Sequence, residues 1–251
     1  MKDPASWRPS KFESARGGLR ASRNPGEVLA TSRMVVDMMA HTYETMLRDH
    51  ARGRLLDLGC GKVPLYGVYR DLVEDCFCVD WDSTSHPSRH VDLTTDLNRG
   101  LPLPDGAFDT VLATDVFEHI ATPRTLWADA ARVLAPGGKL LVGVPFLYWI
   151  HEQPHDYFRY TEFALRRFCD QAGLEIVALD PYAGAAEVVA DIVAKHLAFS
   201  TAMASAFQIA AAGLLRLWPV RHLTRRSSRT FPLGYALVAV KPGLTPDRDP
   251  A

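Results

Sequence analysis

A doubly wound α/β sheet is the fold this sequence predicts, on three observations. Short apolar runs alternate with stretches of helical period from Arg54 to Leu179, which is how a parallel sheet with helices on both faces is written in sequence. The first run ends in an acid set against two glycines one residue apart, in LLDLGCGKVPLY at Leu55 to Tyr66. And 251 residues, 47% hydrophobic and 23% charged, give ample material for one core.

Taken in order, residues 1–24 are rich in Arg, Ser, Pro and Gly without periodicity and read as a flexible N-terminal arm. From Pro25, Val28, Met34, Val35, Met38, Met39, Tyr43, Met46 and Leu47 recur at three- and four-residue steps. That spacing predicts one or two amphipathic helices, with the methionine stripe as core. There follow a strand in RLLDLG, a helix over LYGVYRDLV and a strand in CFCVDW, then a strand in AFDTVLAT, a helix over TLWADAARVL and a strand in GKLLVGVPF. Pro136 to Gly138 is expected to stop the second of those helices. Thr161 is the expected N-cap of a helix that Gly173 closes, leading to the strand LEIVAL. Residues 183–230 break this rhythm with a long Ala-rich helical insertion before a last strand in GYALVAVKP, and residues 244–251 read as a flexible tail. The domain is thus expected to span 25–243.

The four cysteines do not make a metal quartet, because only Cys76 and Cys78 are close and one intervening residue is not zinc spacing. Period-2 alternation puts both on one strand face as reduced core thiols. No metal is expected. A formal net charge of -1 offers no broad cationic field, so nucleic acid is not an expected partner. The N-terminus has no apolar stretch of signal-peptide length, and the chain reads as cytoplasmic.

A strand that turns through Gly59 and Gly61 lets backbone come close to a ligand, since a side chain at either position would fill the space. Such a turn serves dinucleotides, S-adenosylmethionine and plain tight turns alike, and Lys62-Val63-Pro64 lacks the third glycine of a dinucleotide fingerprint. Two later acids sharpen the choice. Asp80 closes the second strand, where a carboxylate can accept both hydroxyls of a ribose. Asp96 precedes the fourth strand, where a carboxylate can accept from an exocyclic amine. An adenosine-bearing ligand fits all three features.

LLDLGCG, CVDWD, LPLPDGAFDTVLATDVFEHI, RVLAPGGKLLVGVPF and HEQPHDYFRYT resemble, in content and order, the motifs of class I S-adenosylmethionine-dependent methyltransferases over Leu55 to Leu179. The resemblance implies a Rossmann-like seven-stranded sheet with its last strand antiparallel and S-adenosylmethionine as cofactor. It places the methionine part of the cofactor at Asp57, Gly59, Cys60 and Gly61. The ribose falls at Asp80 with Trp81 beside the adenine, the adenine amine at Asp96 with the Leu97 N–H, and Thr114 and Asp115 flank the cofactor. The Lys62-Val63-Pro64 stretch departs from relatives that keep another glycine there, which leaves the path of the loop open.

Methyl transfer is an in-line displacement that asks mainly for alignment and exclusion of water. A hydroxyl acceptor must also lose a proton, a task suited to histidine. His155 is the first expectation, in a loop stiffened by Pro154, and His119 the second; His151 lies on the same face. A buried structural corner and catalysis by proximity alone remain the alternatives. LDPYAG at Leu179 is read as a turn.

The uncharged run Leu197 to Leu215, followed by Arg216, Arg221, Arg225, Arg226 and Arg229, resembles a membrane segment with basic flanks. The last strand must return to the same sheet, so a span is not expected. A lid, a homodimer surface and peripheral membrane contact through 197–229 stay open. The reading taken forward is O-directed methyl transfer to a small-molecule, glycan or lipid-linked acceptor. A non-catalytic adenosine-ligand scaffold or sensor, a protein or RNA methyltransferase, and a nucleotide-dependent oxidoreductase are its rivals.

Overall fold

The computed structural model describes residues 1–83 and 88–243; the expected tail at 244–251 lies outside them. In chain order the elements are β1 (Phe12–Ala15), β2 (Gly18–Ala21), α1 (Arg33–His50), β3 (Arg54–Leu58), α2 (Tyr66–Tyr69), β4 (Asp75–Asp80), β5 (Leu93–Thr94) and β6 (Phe108–Thr114). Then come α3 (Pro123–Val133), β7 (Leu134–Pro145), α4 (Glu162–Gln171), β8 (Glu175–Tyr182), α5 (Ala185–His196), α6 (Thr201–Leu215), α7 (Trp218–Ser227) and β9 (Gly234–Val240). Seven strands form one sheet in the order β5-β4-β3-β6-β7-β9-β8, parallel from β5 to β7, with β9 antiparallel to both its neighbours.

Strand alternation deals successive side chains to two cores, one on each face. Leu56, Leu58, Val111 and Val142 meet α3 and α4, where Trp127 is stacked 4.4 Å from Phe117 and 5.7 Å from Phe168. On the other face Leu55, Cys76, Cys78, Leu112 and Leu141 meet Val35, Met39, Tyr43 and Leu47 of α1 and Val68 of α2. All four cysteines are free and buried. As its sequence predicts, Thr161 caps α4, its side chain accepting from the Ala164 N–H at 3.2 Å.

Three expectations are corrected. Residues 1–24 are not a loose arm: β1 and β2 form a hairpin in register Phe12↔Ala21. It is pinned to α1 by Leu19 N–H to Glu44 Oε2 at 2.6 Å and Ala21 N–H to Asp37 Oδ1 at 2.8 Å, while the Trp7 indole donates to the Val63 carbonyl at 3.0 Å. Four-residue strands that bury one side chain each are too short to leave a periodic signal. The helix expected over LYGVYRDLV shrinks to the single turn of α2. And α3 stops at Val133, before Pro136, because chain leading into a proline is held extended; Pro136 to Gly138 belong to β7.

The stretch between β8 and β9 is three helices. Ser200 caps α6 and so splits the uncharged run, and α7 turns 89° away from α6. Among the described residues no single helix is long and apolar enough to cross a membrane.

Candidate active site

Strand order reverses between β3 and β6, and the crevice beyond their carboxyl ends is where open α/β sheets take ligands. Gly59 leaves β3 at φ +62°, and a Cβ there would lie 2.6 Å from Val116 Cγ2. The Gly61 N–H donates to Asp80 Oδ2 at 2.9 Å, tying the loop to the end of β4. Val63 adopts φ +53°, the left-handed conformation that glycine takes easily and a β-branched residue resists. The loop therefore keeps its path without a third glycine, held by Val63 N–H to the Cys60 carbonyl at 2.7 Å.

Two adjoining cavities open here. One, of about 230 Å³, is lined by Gly59, Gly61, Asp80, Trp81, Asp96, Leu97, Asp115, His119 and His155. The other, of about 300 Å³, is lined by Asp57, Gly59, Cys60, Gly61, Thr114 and Asp115. Every site residue read from the sequence lines one or both.

Residues 56–142 match the family model of a methyltransferase domain. An uncharacterized 37.1 kDa protein of a Streptomyces fradiae transposon is 30% identical over 146 residues, which is 51% of this chain and 42% of that protein. A Mycolicibacterium smegmatis protein named "Probable S-adenosylmethionine-dependent methyltransferase" is 29% identical over 110 residues, 41% of this chain and 42% of that one. The chain thus covers under half the length of each relative. The crystal structure of an S-adenosylmethionine-dependent methyltransferase from Mesorhizobium loti shares the fold, with a TM-score of 0.55 at 14% identity over 82% of this chain and 99% of that one. The chain carries a methyltransferase domain, matched over residues 56–142 within the seven-stranded sheet. The cofactor of such a domain is S-adenosylmethionine.

The donors and acceptors of this methyltransferase domain suit that cofactor. Asp80, 6% exposed, already accepts from Gly61 and Trp81 N–H groups, so its carboxylate is fixed in place at the end of β4. Asp96 caps a 3-10 turn at Leu97–Arg99, and the Asn98 backbone N–H, with its side-chain amide, holds the carboxyl below its usual range and hence ionised. Asp57 lies deeper, accepting from the Tyr69 hydroxyl at 2.9 Å; burial above all pushes it up to about 7.

Sequence reasoning missed the groups that meet Asp115. Lys11 of the hairpin segment reaches Asp115 Oδ2 at 2.8 Å and Tyr43 of α1 donates to Oδ1 at 2.8 Å. Burial pulls the Lys11 ammonium down, but the Asp115 carboxylate more than offsets it. Tyr43 reaches this far only because β7 has Gly143 beside it, where a Cβ would sit 2.4 Å from the hydroxyl.

The two candidate histidines of the methyltransferase domain take different ends of the site. His155 packs edge-on against Trp81 with ring centroids 4.9 Å apart, and its Nδ1 lies 3.1 Å from the Tyr157 hydroxyl, so it stands at the Trp81 end of the crevice. His119 stands instead where the first cavity meets a third, of about 100 Å³, that also holds Glu118, Tyr148 and His151. Asp115 and Glu152 line all three cavities.

Proposed function

We propose that the chain methylates an oxygen of a small-molecule, glycan or lipid-linked acceptor entering through the third cavity. S-adenosylmethionine, when bound, supplies an electrophilic methyl group on a sulfonium. The residues named above bind and aim it: Asp80 and Asp96 take ribose and adenine, and Lys11 offers a cation to the methionine carboxylate. The observation that carries the reading is the junction at Asp115, Glu152 and His119, which joins the cofactor crevice to a second, separately walled space. A hydroxyl must lose its proton there. His119 Nδ1 donates to the His155 carbonyl at 2.8 Å, which fixes the tautomer and leaves Nε2 as the acceptor facing the junction.

A lipid-linked acceptor is favoured by the surface of the insertion. Phe199, Ile209, Leu214, Leu217, Trp218 and Leu223 are exposed on α6, α7 and their flanks, beside the exposed Arg221, Arg225 and Arg226. Apolar anchors with a basic rim dock on anionic headgroups. Four free cysteines suit the reducing cytoplasmic side of such a membrane.

The test is transfer of labelled methyl from S-adenosylmethionine to a panel of sugars and lipid-linked glycans. Label in a lipid-linked product, with release of S-adenosylhomocysteine, is the expected result. Tight binding of S-adenosylhomocysteine with no transfer to any acceptor assigns the chain to a binding role instead. Flotation with anionic vesicles decides the membrane contact: recovery in the floating fraction is expected, and a protein that stays at the bottom, whether monomer or dimer, refutes it.

A further inference from the structure

Glu118 is fully buried, and among the described residues neither of its carboxylate oxygens has a hydrogen-bond partner. A buried carboxylate without donors is among the costliest groups a fold can hold. Two imidazoles converge on it. His119 Nε2 lies 3.8 Å and His151 Nε2 3.9 Å from Glu118 Oε1.

The other nitrogen of each ring is already engaged. His119 Nδ1 faces the His155 carbonyl at 2.8 Å, and His151 Nδ1 faces the Trp149 carbonyl at 3.3 Å and Asp156 Oδ2 at 3.4 Å. A carbonyl only accepts, so the His119 proton sits on Nδ1 and its Nε2 carries a lone pair; His151 Nδ1 also has the Arg159 Nη2 donor at 3.5 Å, and pairing with it leaves the His151 proton to Nε2, from which a cation displaces it. Backing of this kind, by backbone and carboxylate acceptors, is what orients metal-bound histidines. The His119 lone pair, the His151 Nε2 and an unpartnered carboxylate oxygen thus converge on one point with no hydrogen bond between them. A proton on Glu118 does not resolve this, because 3.8 and 3.9 Å exceed hydrogen-bond reach.

We propose that Glu118, His119 and His151 bind one divalent cation of the Zn²⁺ or Mn²⁺ type, placed to hold an oxygen of the acceptor; the acceptor role, though not the site, rests on the methyltransferase reading. The three ligand atoms lie within 4.8 Å of one another. With metal–ligand bonds of about 2.0–2.2 Å, ligand atoms of a tetrahedral site stand roughly 3.5 Å apart, so Glu118 Oε1 has to approach each imidazole by a few tenths of an ångström and no pair has to close by more than about 1.3 Å. Two imidazoles and one carboxylate favour borderline cations over Ca²⁺ or Mg²⁺. Three protein ligands leave a position open, and Glu152 Oε2, 4.0 Å from His119 Nε2, stands beside it. A hydroxyl held by the cation is acidified as metal-bound water is. The bond that breaks is its O–H, and the proton passes to bulk water. His119 Nε2, the proton acceptor of the metal-free site, serves as a ligand once the cation is bound.

The experiment is calorimetric titration of the chelator-treated chain with ZnCl₂ and with MnCl₂, alongside Glu118→Gln and His151→Gln, folding being checked by thermal unfolding. One ion per wild-type chain, bound at least a hundredfold more weakly by each folded variant, is expected. A wild type that takes up neither ion, or a Glu118→Gln variant that binds as wild type does, overturns the site. The wild-type titration decides the matter even if both variants fail to fold. S-adenosylhomocysteine binding is measured separately on the metal-free chain. Its presence without metal uptake refutes this inference alone, and its absence beside stoichiometric uptake leaves the cation site standing while the methyltransferase reading falls.

Discussion

Replacing Asp80 with alanine tests the cofactor site at its best-defined point. The carboxylate is 6% exposed and held by Gly61 N–H at 2.9 Å and Trp81 N–H at 2.8 Å, so it is in place before any ligand arrives. Hydrogen bonds to a charged group are each worth about 1.5–3 kcal/mol. Two ribose hydroxyls donating to this carboxylate therefore contribute about 3–4 kcal/mol after some solvent compensation, or roughly 140- to 700-fold in affinity at about 1.4 kcal/mol per tenfold. Asp80→Asn retains one acceptor oxygen and loses the charge, and its affinity is expected to fall between the two. Calorimetric titration with S-adenosylhomocysteine reads the change directly. The Gly61 N–H also loses its partner in Asp80→Ala, so circular dichroism and a urea midpoint are needed to show a folded protein. A folded Asp80→Ala chain that binds within about threefold of wild type refutes the placement of the ribose.

Gly59→Ala is expected to destabilise the fold by about 2–4 kcal/mol, from a left-handed backbone and a Cβ 2.6 Å from Val116 Cγ2, as a fall in urea midpoint, with cofactor binding lost in parallel. Asp57 titrates near 7 when folded and in the ordinary aspartate range when unfolded, so the folded state holds the extra proton between about pH 4 and 7. Stability from this group therefore declines as pH rises through that window and levels off above it, by at most about 4 kcal/mol at 1.4 kcal/mol per unit. Urea midpoints across that range should flatten in Asp57→Asn, and an unchanged slope excludes Asp57 as the cause. Thr161→Ala removes the cap that accepts from Ala164 N–H and is expected to cost about 1 kcal/mol in thermal unfolding while leaving S-adenosylhomocysteine binding unaltered.

The parts of the site that were legible are those where one short stretch reports both position and chemistry. Asp80 is an acid at the end of an apolar run one βα unit after a glycine turn, and the topology alone brings it beside Gly61. Lys11 gives no such sign, since its partner Asp115 lies 104 residues away and the hairpin that carries it buries too few side chains to show a period. Tyr43 reads as one more apolar position of α1, and nothing local says that Gly143, 100 positions on, clears its way to Asp115. The placing of His155 at Trp81 and of His119 at the junction likewise depends on how two loops fold against each other, which spacing does not encode.

The antiparallel pairing of β8 with β9 gives the insertion between them an unusual freedom. Tyr182 and Gly234 stand opposite each other in the ladder, so the chain leaves and re-enters the sheet at the same place. Antiparallel neighbours need only a two-residue connection, and lengthening such a loop costs little, about 0.6 kcal/mol per doubling. The three helices can therefore differ in length at little cost in loop closure, and what holds them is their own packing, Val188 of α5 in the α1-facing core and Ala190 and Ala211 on Met34, not the ladder that keeps β8 and β9 in register.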